Sequence, residues 1–314
     1  MIQSALSQLL QTLLIVGLAP LLVGWVNQCR AWLQNKSGAG VLQPYRVLHK
    51  LFNKEAVLAE NASSLFRMAP YVQFGCMVLV ASIVPILATD LPFAAAADVI
   101  ALVGLFALAR LFAALAAMDV GTAFGSMGAR REMLVACLAE PALLMVFFTP
   151  SLIAQSTSLV TIVETVAQRE FVLYPSLAFA AVAFAMVALA ENARIPVDNP
   201  ATHLELTMIH EAMVLEYSAR HLALIEWASA VKLTNYCAIG IALFLPWGIV
   251  GAGDWLLMPL ALTALLVKLL LGGAGLALLE TLSAKMRIFR APEFLATAFL
   301  LGVLGMLIRL ALEH

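Results

Sequence analysis

Charge is scarce in this 314-residue sequence, in which 12% of the residues are charged and 63% are hydrophobic. That is about half the charge of an ordinary soluble domain, and the mean hydropathy of +0.98 excludes such a domain. Uncharged runs at 1–29, 68–89 and 233–253 are longer than a globular core uses, and they match the thickness of a bilayer. The sequence therefore predicts an all-α polytopic membrane protein.

Paired cysteines and basic clusters are also lacking. The four cysteines are scattered without a CxxC pair, which argues against an iron–sulfur site, a zinc knuckle and a disulfide framework. A net charge of -1, without a basic stripe interleaved with aromatic residues, argues against a nucleic-acid partner. The opening apolar run has no preceding positive charge and no small-residue cleavage site, so we interpret it as a retained first span.

Apolar runs of about 20 residues predict about eight transmembrane helices within a single domain, 1–314. The predicted spans are 5–27, 71–90, 97–117, 133–154, 172–190, 233–252, 255–279 and 293–312. With these spans, 14 of the 18 basic residues fall on one side of the membrane. Because cytoplasmic loops hold the excess of Lys and Arg, that side is predicted to be cytoplasmic and both termini to be non-cytoplasmic. The long cytoplasmic segments are then 28–70 and 191–232.

Three ionisable residues fall inside predicted spans: Arg110, Glu140 and Lys268. A charge in the hydrocarbon is costly, so such residues normally face the bundle interior and find partners. Glu140 precedes Pro141, which frees a backbone carbonyl beside the carboxyl group and suits a protonation site. Lys268 is the natural partner for a buried carboxylate. The alternatives are a structural ion pair at Arg110 and a permanently neutral, hydrogen-bonded Glu140.

A loop dense in titratable groups spans 191–217. Its acids and histidines are Glu191, Asp198, His203, Glu205, His210, Glu211 and Glu216. Two prolines, Pro196 and Pro200, favour an extended entry, and 201–217 has helical composition. The HExxH spacing of zinc sites is absent, so we expect no metal site. The many apolar residues of this loop indicate that it packs against another surface.

The loop motif RIPVDNPATHLELTMIHEAMVLEYS, residues 194–218, resembles the acidic loop of a known membrane subunit. Group 4 nickel–iron hydrogenases share that subunit with respiratory complex I, where the related chain bears the quinone tunnel. Three more stretches support the resemblance: 40–55, 119–132 and Leu138–Pro141. The sequence of this loop is closer to that of hydrogenase-4-like relatives, formate hydrogenlyases included, and of membrane-bound hydrogenases than to that of complex I itself.

The resemblance implies a non-catalytic subunit, without cofactors of its own, in the cell inner membrane. Its expected partners are the hydrogenase large and small subunits, an iron–sulfur subunit and antiporter-like membrane subunits, besides membrane lipid. The nickel–iron centre and the iron–sulfur clusters are expected in those partners. Residues expected to couple ion translocation are Arg110, Glu140, Lys268, Glu191, Asp198, Glu205, Glu211 and Glu216. Residues expected to dock the cytoplasmic module are Gln43, Tyr45, Arg46, His203, His210 and Tyr217.

The sequence departs from the family pattern in the first cytoplasmic segment. Relatives carry a basic pair followed by Gly-Pro and an acidic residue, where this chain has Lys36–Ala39 and Val47. These departures argue against a functional quinone site. Three alternatives to hydrogenase coupling remain open: a quinone-site subunit of a complex-I-like NADH or ferredoxin:quinone oxidoreductase, a passive membrane anchor, and an independent ion transporter.

Overall fold

The computed structural model describes residues 2–90, 92–168, 174–194, 209–250, 257–284, 286 and 290–312. Eleven α-helices and one short 3-10 helix, Pro92–Ala96, make up these ranges, which contain no β-strand. The α-helices, numbered in chain order, are α1 (Ile2–Leu33), α2 (Gln43–Phe52), α3 (Ser64–Ile83), α4 (Val99–Asp119), α5 (Ala123–Ala154), α6 (Leu159–Gln168), α7 (Pro175–Glu191), α8 (His210–Val214), α9 (Ala219–Phe244), α10 (Met258–Leu282) and α11 (Ala291–Leu312).

Seven of these helices are long and apolar enough to cross a membrane: α1, α3, α4, α5, α9, α10 and α11. The predicted all-α polytopic class is therefore confirmed. Helix α7 corresponds to the remaining predicted span, and its 17 residues lie at the lower limit for crossing a bilayer. The count of eight spans stays a prediction.

Several helices extend beyond the spans that hydropathy outlined. Helix α5 begins at Ala123 instead of 133, and α9 begins at Ala219 instead of 233. The predicted cytoplasmic segment 191–232 therefore contains the first half of α9. The physical reason is that a helix continues while its backbone hydrogen bonds continue, whereas hydropathy detects only where the side chains become apolar.

Short polar side chains start three of the spanning helices. Ser63 accepts a hydrogen bond from the backbone N–H of Leu65, Asp98 from that of Ile100, and Thr122 from that of Gly125. Each side chain satisfies an N–H that has no partner inside the first turn. The capping residues lie in the loops just before these helices, so they fix the residue at which each helix begins.

Helices α3, α4 and α9 form one side of the bundle, and α5, α7 and α11 form the other, with α1 packed against α10 and α9. Glycines permit close contacts on the second side. A Cβ on Gly302 would touch Met145 of α5, and one on Gly305 would meet the carbonyl oxygen of Ser176 at 2.9 Å. Small residues are used in this way between membrane helices, because there backbones must approach closely.

The segment after α1 folds back along α1. The Gly40 N–H donates to Gln28 at 3.2 Å, and a Cβ on Gly24 would overlap the carbonyl oxygen of Val41. Helix α2 then buries Leu48 and donates a hydrogen bond from the Tyr45 hydroxyl to the Gly17 carbonyl. This amphipathic helix therefore lies against the bundle with its polar face exposed.

The described end of the acidic loop is packed against the bundle, as its apolar residues indicated. Ile209 and Met213 are buried, and the Tyr217 ring stacks on Phe66 with centroids 4.0 Å apart. Burial, together with the Asp119 carboxylate, raises the pKa of Tyr217 well above its usual range, so its hydroxyl stays a donor to the Phe66 carbonyl. Of the helix predicted over 201–217, α8 occupies 210–214, and 201–208 lie outside the described residues.

Candidate functional site

Arg110 of α4 is buried among carboxylates from two other helices. Its Nε lies 3.4 Å from Glu132 Oε1 and its Nη1 lies 3.4 Å from Glu140 Oε1, both on α5. Its Nη2 forms an ion pair with Glu191 Oε2 at the end of α7. The Arg110 side chain is 4% exposed. The prediction that this intramembrane arginine is paired is therefore confirmed.

A second cation, Lys232 of α9, holds the same carboxylate. Its Nζ lies 3.1 Å from Glu191 Oε2 and donates to the backbone carbonyl of Glu191 at 2.6 Å. The Glu191 side chain is 1% exposed, so two cations replace the water that this carboxylate has lost. Glu191 thus joins helices α4, α7 and α9.

The resulting cluster, which we call the Glu191 network, comprises Arg110, Glu132, Glu140, Glu191 and Lys232. With every member ionised it carries three negative charges and two positive ones. A buried network with one unmatched carboxylate can take up one proton without forming an unpaired positive charge. Glu140 is its most exposed member, with 35% of the side chain accessible, so it connects the network to the surface of the bundle.

Tyr236 of α9 closes the inner side of the Glu191 network. Its ring stacks on Phe106 with centroids 4.7 Å apart, and it is fully buried. Its hydroxyl approaches the Glu191 carboxylate but completes no hydrogen bond within the described part of the chain. Glu191 Oε1 likewise has no hydrogen-bond partner there. Two buried polar atoms are thus available to a water molecule or a shared proton.

A separate ion-pair cluster joins three helix ends. Glu280 near the end of α10 is 1% exposed, and its carboxylate lies 3.4 Å from Arg30 Nη1 and 3.2 Å from Arg194 Nη1. Arg30 lies near the end of α1, and Arg194 follows α7. The ends of α1, α7 and α10 therefore lie on one side of the bundle, as the predicted topology requires. The identity of that side as cytoplasmic stays a prediction.

Two neighbouring cavities lie between this side of the bundle and the Glu191 network. The larger, about 440 Å³, lies between α1, α2 and α9, and Arg30, Arg194 and Glu280 are among its lining residues. The smaller, about 60 Å³, is lined by Arg110, Glu132, Glu191 and Lys232. Both are lined by Asn192, Ala193, His210 and Ser229. A thin shared wall thus separates the larger cavity from the buried charges.

The structure brings together three of the predicted coupling residues, Arg110, Glu140 and Glu191. Glu211 lines the larger cavity with two predicted docking residues, Gln43 and His210. Glu216 and Arg46 are exposed, while Tyr45 and Tyr217 pack within the chain. Asp198, His203 and Glu205 lie outside the described residues.

Lys268 lies apart from the Glu191 network, so the expectation that it pairs with a buried carboxylate is wrong for the described residues. Its Nζ donates to the carbonyl oxygen of Leu245 at 2.6 Å and to that of Trp247. Leu245 caps the end of α9, where the last carbonyls have no partner inside the helix. A cation at this negative helix end is favourable, and unpaired carbonyls are not visible in a sequence.

We expect Lys268→Met to weaken the end of α9 and to leave ion transport unchanged. The loss of a charged donor at a helix end should lower the free energy of unfolding by about 0.5–2 kcal/mol. Thermal unfolding of the purified protein in detergent measures this change, and Lys268→Arg, which keeps a cation there, is the matched control. Loss of ion transport by a stable Lys268→Met protein would instead place Lys268 in the coupling route.

Sequence reasoning missed Glu132 and Lys232 as members of the network. Both were assigned to segments outside or at the edge of the predicted spans, because the starts of α5 and α9 were placed too late. The separate pairing of Glu280 with Arg30 and Arg194 was also missed, since it joins residues more than 80 positions apart. Among the described residues no three His, Cys, Asp or Glu side chains are arranged to hold a metal ion.

Comparison with known proteins supports the resemblance found in the motifs. The NADH dehydrogenase family model matches residues 7–311. Formate hydrogenlyase subunit 4 of Escherichia coli (strain K12) is 32% identical over 296 residues, covering 94% of this chain and 95% of that protein. Hydrogenase-4 component C of the same organism is 35% identical over 263 residues, covering 83% and 81%.

The fold also matches a solved structure. A chain of the membrane-bound sulfane sulfur reductase, an archaeal respiratory membrane complex, gives a TM-score of 0.82 at 20% identity. The match covers 96% of this chain and 99% of that one. The match to the family model includes all four helices that build the Glu191 network, α4, α5, α7 and α9. On these grounds, the chain belongs to the NADH dehydrogenase family and is a homologue of formate hydrogenlyase subunit 4 and hydrogenase-4 component C.

Proposed function

We propose that this chain couples a cytoplasmic nickel–iron hydrogenase module to ion-translocating, antiporter-like membrane subunits. The observation that carries the proposal is the Glu191 network, which is buried in the membrane bundle next to the wall of a cavity. A passive anchor has no need for charged side chains as deeply buried as Arg110 and Glu191, because each costs free energy to bury. The homologues named as hydrogenase and formate hydrogenlyase components support the choice of partner.

The proposed mechanism transmits charge and performs no redox chemistry in this chain. Electron transfer in the docked module changes the charge near the larger cavity, where Glu211 and His210 line the wall. That change alters how Glu191 is shared between Arg110 and Lys232 and drives a proton onto the network. Glu140, at the bundle surface, then passes the charge change to a neighbouring membrane subunit.

The partners and setting follow the family. We place the hydrogenase large and small subunits and an iron–sulfur subunit on the side where α1, α7 and α10 end, which we take as cytoplasmic, with both termini on the other side. On this side the exposed Arg46 and Glu216 take part in docking and coupling. The resemblance assigns Asp198, His203 and Glu205 to the same two roles. The nickel–iron centre and the iron–sulfur clusters reside in the partner subunits, within the cell inner membrane complex.

A quinone-site function is the second candidate, and one observation favours it. The cavity of about 440 Å³ lies within the range of roughly 300–1,000 Å³ that small-molecule sites occupy. Against it, Val47 lines this cavity at the position where the family pattern has an acidic residue, so the cavity wall lacks that carboxylate. Bound quinone in the purified complex, or inhibition by quinone analogues, would favour this candidate.

The test is purification from native membranes in mild detergent through a tag on this chain. Copurifying subunits are identified by mass spectrometry, and metals by elemental analysis. We expect nickel and iron together with hydrogenase and antiporter-like subunits. Iron and quinone without nickel would replace the proposal with the quinone-site function, and recovery of the chain alone without metals would overturn both.

A further inference from the structure

One face of α1 is polar although the helix is long and hydrophobic. Ser4, Ser7, Gln8 and Gln11 recur at three- and four-residue spacing and are all buried. The opposite face carries exposed leucines, including Leu6, Leu9 and Leu13. In a membrane helix this arrangement turns the polar face toward the protein interior, because unpaired polar groups are costly in lipid.

This polar face meets the end of α3. Gln8 Nε2 donates to the Ser82 carbonyl at 3.1 Å, and Gln11 Nε2 donates to the Val84 carbonyl at 3.1 Å. Gln11 is 1% exposed, and its Oε1 has no hydrogen-bond partner in the described ranges. Thr89, a few residues beyond α3, is also buried with its hydroxyl unpartnered there. Buried polar atoms of this kind normally bind water.

A second buried polar site lies deeper between α3 and α9. Asn235 is 0% exposed, and its Nδ2 donates to the Met77 carbonyl at 2.9 Å. Its Oδ1 has no partner among the described residues. Met77 also lines the small cavity at the Glu191 network, and Tyr236 follows Asn235 in the chain. This deeper site therefore adjoins the buried charges.

The two polar sites lie in line across the membrane. Val84 is seven residues beyond Met77, which is about 10 Å along a helix. Ile15, Val80 and Ala81 are buried and apolar at the intervening level. Gln11 is about 28 Å along α1 from Arg30, which lines the larger cavity on the opposite side of the bundle. The larger cavity and the outer polar site thus lie toward opposite ends of α1.

We propose that the seam between α1, α3 and α9, marked by Gln11 and Asn235, is an outward-facing water channel that releases protons from the Glu191 network. Its ligands are water molecules and the protons they carry. A proton leaves a protonated carboxyl of the network for water, and the carboxylate returns to its ion pair. The apolar layer of Ile15, Val80 and Ala81 separates the two polar sites until release occurs.

The inference builds on the proposed function in one respect, the loading of the Glu191 network with protons. Hydration of the outer site is measurable independently of that function. Methanethiosulfonate reagents react with the thiolate form of cysteine, which forms in water and not in an apolar core. Labelling of introduced cysteines therefore reports directly whether Gln11 stands in a water-filled path.

The first experiment uses the whole complex in sealed vesicles, with this chain's native cysteines replaced by serine or alanine. Those positions are Cys29, Cys76, Cys137 and Cys237. A charged methanethiosulfonate is added on the side of the α1 N-terminus. We expect Gln11→Cys to react at least about tenfold faster than Ile15→Cys, a buried apolar control one turn deeper. Equal, slow labelling of both would overturn the channel.

The second experiment asks whether the seam carries protons. Gln11→Leu and Asn235→Leu replace the water-binding oxygens by apolar groups of similar size, and we expect the proton yield per electron to fall severalfold in both. Thr297→Val, on the exposed face of α11, is the control and should retain the native yield. Full proton yield in an assembled Gln11→Leu complex would refute release by this route, even if Gln11→Cys is labelled.

Failure of the proposed function has a different signature. A complex that moves no protons in its native form but labels at Gln11→Cys would contradict coupling by the Glu191 network while retaining a hydrated seam. A complex that moves protons normally and leaves Gln11→Cys unlabelled would contradict the seam alone.

Discussion

Replacing Glu191 by glutamine is expected to abolish ion transport while electron transfer in the docked module continues. The amide keeps the size of the side chain but removes the charge that Arg110 and Lys232 share. Lys232 is then left without its carboxylate, and the network can no longer exchange a proton at this position. Ion uptake by reconstituted vesicles, measured beside hydrogenase activity with a soluble electron donor, separates the two activities.

The matched control for this variant is Glu293→Gln. Glu293 is an exposed carboxylate at the start of α11, and the described residues give it no ion pair. The Glu293→Gln substitution removes one negative charge, as Glu191→Gln does, but leaves the Glu191 network intact. Ion uptake by the vesicles should therefore be unchanged. Vesicles with Glu191→Gln that still build the native gradient would show that Glu191 is structural and would favour the passive anchor.

Arg110→Met is expected to produce a large loss of stability. It removes the cation that faces three carboxylates, and two of these stay deep in the protein. Removing one partner of a buried ion pair costs about 3–5 kcal/mol, because the remaining charge is left uncompensated. Thermal unfolding in detergent, with the yield of assembled complex, measures the effect.

Two further variants show whether the loss comes from the network. Arg110→Lys keeps the charge but presents a compact ammonium that does not span the three carboxylates, so we expect only partial recovery. Arg67→Gln removes an exposed arginine that has no ion pair among the described residues, and it should change stability by about 0.5 kcal/mol or less. An Arg110→Met protein as stable as Arg67→Gln would show that the ion pairs contribute nothing.

A double variant apportions the energy between the two central residues. In Arg110→Met combined with Glu191→Gln, the charges that interact directly are removed together. We expect the destabilisation to be smaller than the two single effects added, because residues in one buried network couple by roughly 0.5–3 kcal/mol. Additive effects would mean that Arg110 acts mainly through Glu132 and Glu140.

Much of the candidate site was readable from single residues. An arginine at 110 in an otherwise apolar run had to find a partner, since a lone guanidinium in lipid is too costly, and the structure supplies three partners. The same argument located Glu140 and Lys268. The argument correctly singled out both residues as unusual, but it assigned Lys268 the wrong kind of partner. A lysine can donate to the free carbonyls at a helix end as well as to a carboxylate.

The sequence by itself determined the class of this protein, its family and the charges that need explanation. Those properties depend on local hydropathy and on motif order, which one chain carries along its length. Tertiary structure alone decided that Glu191 is the shared carboxylate, that Lys232 and Glu132 belong with it, and that Glu280 is held by two arginines. These pairings join distant helices, and their free energy depends on burial and distance, which exist only once the helices have packed.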